Sequence, residues 1–261
     1  MNELPEFSET PAPTAKPRRL RRSVFVLPSL FTVANIFCGF YAIILTMNQM
    51  YTKAAIAIAI AILLDSMDGF IARLTNTSSE FGEQLDSLSD VISFGVAPSI
   101  LVLKWGLLSN IDPRLAGAAA FTFLVCGAMR LARFNVQSGA RKHFVGLPIP
   151  AAGGTIAAIV YFVMDPVADR MFAGVMTVVT FILAFLMVST LRYNSLKGIT
   201  FGKKSHLTVL VIALLFTLIF FLSRPTLLIL AVVYTLSGPL IKVYGILRRK
   251  KPGEQTPNGG V

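Results

Sequence analysis

Asp65, Asp68, Asp86 and Asp90 recur at fixed offsets in the run DSMDGFIARLTNTSSEFGEQLDSLSD, which reads D-x2-D-G-x2-A-R-x8-G-x3-D-x3-D. The first pair follows directly on the apolar stretch AAIAIAIAILL. A carboxylate at the centre of a bilayer costs roughly 2.5 to 3.5 kcal/mol. Four of them at a membrane edge therefore call for cations, and the run itself offers only Arg73. Bound divalent metal is the simplest source of the missing charge. Oxygen-only ligands suit Mg²⁺, Mn²⁺ or Ca²⁺ and disfavour zinc. Two such ions clamping a diphosphate, with a guanidinium beside it, are a recurring arrangement for phosphoryl transfer.

These residues need helices to bring them together. At 100° per residue, Asp65, Asp68, Gly69 and Ala72 fall within a stripe of about 100° on one face, with Arg73 at its edge. On the following helix Gly82, Asp86 and Asp90 stand at i, i+4 and i+8, again on one face. The turn between them is polar, and Ser78 and Ser79 are candidate caps for the second helix. A hairpin of the two helices points four carboxylates at one spot. Gly69, Ala72 and Gly82 clear space for a flat group, or serve small-xxx-small helix packing instead.

The rest of the chain sets these helices in lipid. Of its 261 residues, 54% are hydrophobic and 14% charged, against about 25% charged in an ordinary soluble domain; the mean hydropathy is +0.70. This composition predicts an all-α integral membrane protein, a polytopic bundle of six to eight transmembrane helices, eight being preferred. The apolar segments fall near 24–46, 52–72, 88–108, 114–131, 149–164, 171–191, 206–222 and 226–246. The net charge of +11 does not signal nucleic acid. All the Lys and Arg residues except Lys53, Lys104, Arg114, Arg170 and Arg224 gather at the N-terminal run, Arg73, 130–142, 192–204 and the tail. With eight spans these clusters share one side, so both termini and the aspartate loop are expected in the cytoplasm. The same basic face would attract anionic membrane lipid.

Residues 1–22 are expected to form a disordered basic cytoplasmic arm, 23–247 the membrane domain and 248–261 a disordered basic tail. The arm does not read as a signal peptide, since its basic residues follow an acidic start and the apolar run after them is too long. Absence of an organelle-targeting segment points to a cell (inner) membrane, with the multi-pass chain's site on the cytoplasmic side. Cys38 and Cys126 lie inside predicted spans without partner spacing and read as structural. Neither His143 nor His206 has a His or Cys nearby to build a metal cluster.

All eight specified residues of the aspartate pattern match the signature of the CDP-alcohol phosphotransferases, which this run therefore resembles; a chance match is on the order of 10⁻¹⁰ per start position at average composition. The resemblance implies that an alcohol attacks the phosphate of a CDP-linked lipid and CMP leaves. It implies two divalent metal ions (Mg²⁺ or Mn²⁺, or else Ca²⁺) held by Asp65, Asp68, Asp86 and Asp90. Asp90 would also act as general base on the attacking hydroxyl. Gly69, Ala72, Arg73 and Gly82, with Ser79 in addition, look like the nucleotide and diphosphate contacts. A homodimer is a further implication of the resemblance.

Further segments resemble the integral-membrane phosphatidylserine synthase branch: LPSLFTVANIFCGFYA, RLARFNV, FVGLPIPAAGG and LRYNSLK. That resemblance implies CDP-diacylglycerol and L-serine as substrates, and with the signature it covers most of residues 24–200. Ile149 departs from it, standing where a small residue is expected. Serine needs a cation for its carboxylate and an acceptor for its ammonium group. Arg130, Arg133, Asn135 and Lys197 are candidates, as is Arg192, although such cations equally mark a membrane boundary or bind lipid phosphate. In GLPIP, Pro148 and Pro150 cannot both continue a regular helix and are expected to shape the pocket. Competing readings are a glycerol 3-phosphate or inositol phosphate acceptor, and a cation transporter using the aspartates as an ion path.

Overall fold

The computed structural model describes residues 26–75, 80–136, 144–193 and 223–249, with side chains described over 30–67, 80–136, 145–191, Tyr193 and 224–242. Among these residues the chain is almost wholly helical. Helix α1 spans Val26–Met47 and α2 spans Tyr51–Thr75. Helix α3, Glu80–Asp90, runs without a break into a π-helical segment at Val91–Val96, then α4 at Ala97–Val102 and a second π segment at Leu103–Leu107. The remaining helices among the described residues are α5 (Pro113–Val136), α6 (Ile149–Val163), α7 (Arg170–Val188) and α8 (Ser223–Arg249). A two-residue antiparallel ladder pairs β1 (Phe144–Val145) with β2 (Arg192–Tyr193).

Among the described residues, five helical stretches are long and apolar enough to cross a membrane: Leu30–Met47, Glu80–Leu107, Pro113–Val136, Arg170–Val188 and Arg224–Lys242. The protein is thus a multi-pass membrane protein. Helix α2 has the length, with its side chains described as far as Met67, and α6 is shorter, at 15 residues. The expected segment at 206–222 lies outside the described residues, as do the arm 1–22 and most of the tail 248–261, of which Arg248 and Arg249 belong to α8. The expected apolar segment at 88–108 belongs to one of these five stretches. It continues the helix of Asp86 and Asp90 through 28 residues, because nothing between Asp90 and Val91 breaks helical backbone.

Helix ends follow local chemistry. The Asp112 carboxylate accepts the Arg114 N–H at 2.8 Å at the start of α5, and Asp169 accepts the Met171 N–H at 3.1 Å at the start of α7. Pro148 caps α6 from outside, and Pro150 sits in its first turn, where a missing N–H costs nothing. The two prolines thus start a helix rather than interrupt one.

Packing converges on the π segment. Helix α1 lies along α2, α5 along α7, and α6 between α2 and α8. Ser89 and Ser93 donate to the carbonyls of Thr32 and Asn35 on α1, at 3.4 and 2.9 Å. Gly39 lets α1 come this close, since an added Cβ would stand 2.7 Å from Ser93 Cα. Gly153 does the same from α6, where a Cβ would meet the Phe94 carbonyl at 2.8 Å. The backbone just after Asp90 is therefore gripped from two sides, and such grip fixes where the Asp90 carboxylate points. A π turn holds an extra residue and commonly marks a functional position in a helix.

Candidate active site

Carboxylate oxygens of Asp65, Asp86 and Asp90 lie within 4.8 Å of one another. Asp65 comes from the end of α2's apolar run, and Asp86 and Asp90 from successive turns of α3. Asp65 and Asp86 are half-buried, and Asp90 is 9% exposed. At that separation each pair of ionised carboxylates repels by about 3 to 4 kcal/mol at an effective dielectric near 20. Among the described residues one cation faces them: Arg130 from α5, 8% exposed and within electrostatic reach of Asp90. A single positive charge does not balance three negative ones. The oxygen-only donor set, with the Asp90 Oδ1 buried and free of any hydrogen bond, fits a divalent cation.

The cluster closes one end of a cavity of about 940 Å³ between α2, α6 and α8. Its polar end holds the three aspartates, Ser87, Arg130 and Tyr234, beside Pro148 at the foot of α6. From there it follows α2 back to Ala55 and α6 out to Tyr161. Eleven residues at 1.5 Å each make this groove about 16 Å long. Its length is apolar, lined by residues such as Ile60, Leu63, Ala157 and Leu230.

The other expected site residues divide by location. Asp68, Gly69, Ala72 and Arg73 lie on α2, one to two turns past Asp65, with side chains outside the described residues. Ser79 and Lys197 lie outside the described residues altogether, and Arg192 lies in β2 with its side chain outside them. Gly82 stands in the first turns of α3, two helical turns before Asp90. Arg130 enters the cavity, its guanidinium also 5.9 Å from the Phe134 ring, and its Nε is buried without a hydrogen-bond partner. Arg133 turns elsewhere: its Nη1 donates to the Val188 carbonyl at 3.4 Å, where it satisfies the last turn of α7. Asn135 pairs with Ser87, its Nδ2 donating at 3.0 Å, and so ties α5 to α3 beside Asp86. Tyr234 was not among the sequence candidates; a tyrosine in an apolar helix gives no signal of its own.

Comparison with known proteins accords with this geometry. Residues 25–186 match the family model for CDP-alcohol phosphatidyltransferase. The chain is 34% identical over 195 residues to the CDP-diacylglycerol–serine O-phosphatidyltransferase of Helicobacter pylori strain J99, covering 72% of this chain and 80% of that one. The Bacillus subtilis protein of the same name is 33% identical over 171 residues, covering 66% of this chain and 91% of its own. Archaetidylserine synthase of Methanothermobacter thermautotrophicus is 37% identical over 179 residues, with 67% and 72% covered. With its aspartate cluster at the head of a lipid-sized groove and a family match over most of its helices, this chain belongs to the CDP-alcohol phosphatidyltransferase family.

Proposed function

We propose that the protein transfers the phosphatidyl group of CDP-diacylglycerol to the hydroxyl of L-serine, giving phosphatidylserine and CMP. The observation that carries this is one cavity with an acidic head and an apolar body, in a chain similar to several serine phosphatidyltransferases. The apolar length between α2, α6 and α8 takes acyl chain, and the head takes the diphosphate. Asp65, Asp68, Asp86 and Asp90 would hold two divalent ions, Mg²⁺ or Mn²⁺, which supply charge neutralisation of the diphosphate and of the leaving CMP. Gly69, Ala72, Arg73 and Gly82 receive the nucleotide and its diphosphate.

The serine oxygen attacks the lipid-side phosphorus, the bond from that phosphorus to the bridging oxygen breaks, and CMP departs with its electron pair. The hydroxyl proton passes to Asp90, whose Oδ1 has no competing hydrogen bond. Arg130, next to Asp90 and with a free Nε donor, takes the serine carboxylate. Arg133 and Asn135 serve by holding α5 to α7 and α3.

The site faces the cytoplasm of a cell (inner) membrane in this reading, supported by the clustering of Lys and Arg on the aspartate side. Anionic lipid at that face and a homodimer complete it, the latter on the family resemblance alone. The test is CMP release from CDP-diacylglycerol with a panel of acceptors and added Mg²⁺ or Mn²⁺. Metal-dependent release with L-serine is expected. Release with glycerol 3-phosphate or inositol phosphate but not serine would move the chain to a sister activity. Metal flux in proteoliposomes lacking CDP-lipid would instead support transport.

A further inference from the structure

The residues matched by the family end at 186, yet the cavity head has a wall beyond them. Tyr234, on α8, lines the cavity with Arg130 and the aspartates and interacts electrostatically with the Arg130 guanidinium. Arg130 in turn interacts with Asp90. The order Asp90, Arg130, Tyr234 thus runs from the reacting hydroxyl outward.

Tyr234 is held there by built structure. The Tyr193 ring lies beside it, tilted by 33° with centroids 6.0 Å apart, and the Tyr193 hydroxyl donates to the neighbouring Thr235 carbonyl at 3.1 Å. Tyr193 rests on Gly238, where any added Cβ would run into its ring. From α6, Thr155 meets Thr235 hydroxyl to hydroxyl at 3.1 Å. The Nε of Arg130, in the same cavity lining as the Tyr234 phenol, is buried without a hydrogen-bond partner. A buried guanidinium donor without an acceptor, on a residue 8% exposed and facing a phenol across one cavity, describes a receptor for a small anion.

We infer that Tyr234 is a specificity-determining residue that donates its phenolic hydrogen bond to the carboxylate of the acceptor amino acid, which it shares with Arg130. This rests on the serine reading above. The carboxylate is favoured over the ammonium group because Arg130 repels a second cation at this spot. The ammonium group would turn instead toward the aspartates. The diphosphate of the lipid is held at the other side of Asp90, by the signature helices. Recognition of the acceptor therefore depends on a helix outside the segment that carries the signature.

The test uses the full-length protein in mixed micelles with CDP-diacylglycerol, measuring CMP release by wild type, Tyr234→Phe and Tyr234→Leu. Loss of a hydrogen bond to a charged group predicts that Tyr234→Phe raises the KM for L-serine about tenfold or more. It should leave kcat within about threefold and the KM for CDP-diacylglycerol unchanged. L-Serinamide, which lacks the carboxylate, should inhibit wild type and Tyr234→Phe with equal strength. Tyr234→Leu, which also removes the ring, controls for packing through its melting temperature and should show at least the same serine KM. An unchanged serine KM in Tyr234→Phe, a rise confined to CDP-diacylglycerol, or an equal loss toward L-serinamide would overturn the inference. Wild type that releases no CMP with serine would overturn the serine reading itself, and this inference with it.

Discussion

The α2–α3 hairpin and helix α8 both face the same cavity, but they announce themselves very differently. The hairpin carries ionisable groups at the edge of an apolar chain, where each is costly enough to demand a reason. Helix α8 contributes a phenol, a threonine and a glycine, all of which sit at little cost in any membrane helix. Charge in a low-dielectric setting marks itself in a sequence. Neutral polar chemistry becomes visible only when a neighbouring helix is seen against it.

The comparison breaks first at Asp90. If the hairpin supplies the chemistry, Asp90→Asn should lower turnover by about 10²- to 10⁴-fold, the usual worth of a positioned general base. Binding of CDP-diacylglycerol, measured by titration in the presence of metal, should survive. A variant retaining more than about a tenth of wild-type turnover would remove Asp90 from the proton transfer. Next comes Arg130, the residue that joins the two regions. Arg130→Lys keeps the charge but loses the fork that pairs with a carboxylate. Its kcat/KM for serine should fall about tenfold to hundredfold, with the KM for CDP-diacylglycerol little changed. Equal losses for both substrates would place Arg130 on the lipid phosphate instead.

The same contrast explains what the sequence disclosed. The spacing of Asp65, Asp68, Asp86 and Asp90 predicts that all four carboxylates meet; Asp65, Asp86 and Asp90 do, helical offsets being set by local geometry, while the Asp68 side chain lies outside the described residues. Arg130 and Arg133 look equivalent in RLARFNV, three residues apart. Only the placement of α7's last carbonyl sends one to the cavity and the other to Val188. Ile149 stands where a small side chain is expected, and it is fully buried. Its Cδ1 occupies the space over Gly127, where an added Cβ would come within 2.6 Å. A glycine on one helix thus compensates a bulky residue on another, and no local pattern contains both. The π segment after Asp90 was equally hidden, since it is tertiary grip by α1 and α6, rather than propensity, that the segment answers to.

Helix α8 can be tested at its seat. Gly238→Leu puts a side chain into the space of the Tyr193 ring, so either the ring or the helix must move. Displacement of α8 should raise the serine KM several-fold while CDP-diacylglycerol binding, anchored by the hairpin, changes less. If both fall together, α8 supports the whole groove and not the acceptor end.

The smallest effect belongs to the Thr155–Thr235 contact. Thr155 has one hydroxyl hydrogen, and it is already given to the Ala151 carbonyl at 2.8 Å. Thr235 is therefore the donor across the 3.1 Å gap. Thr235→Val keeps the shape and deletes that donor. It leaves Thr155 Oγ without the incoming bond but still bonded through its hydrogen. The cost should be about 0.5 to 1.5 kcal/mol, the net worth of one buried hydrogen bond. Read as a thermal shift, this is a few degrees for a protein of this size. The serine KM should move less than in Gly238→Leu, because Tyr193 still pins α8 through the Thr235 backbone carbonyl, which the substitution does not touch. A larger KM shift in Thr235→Val than in Gly238→Leu would mean that α6, and not the β2 tyrosine, sets the position of Tyr234.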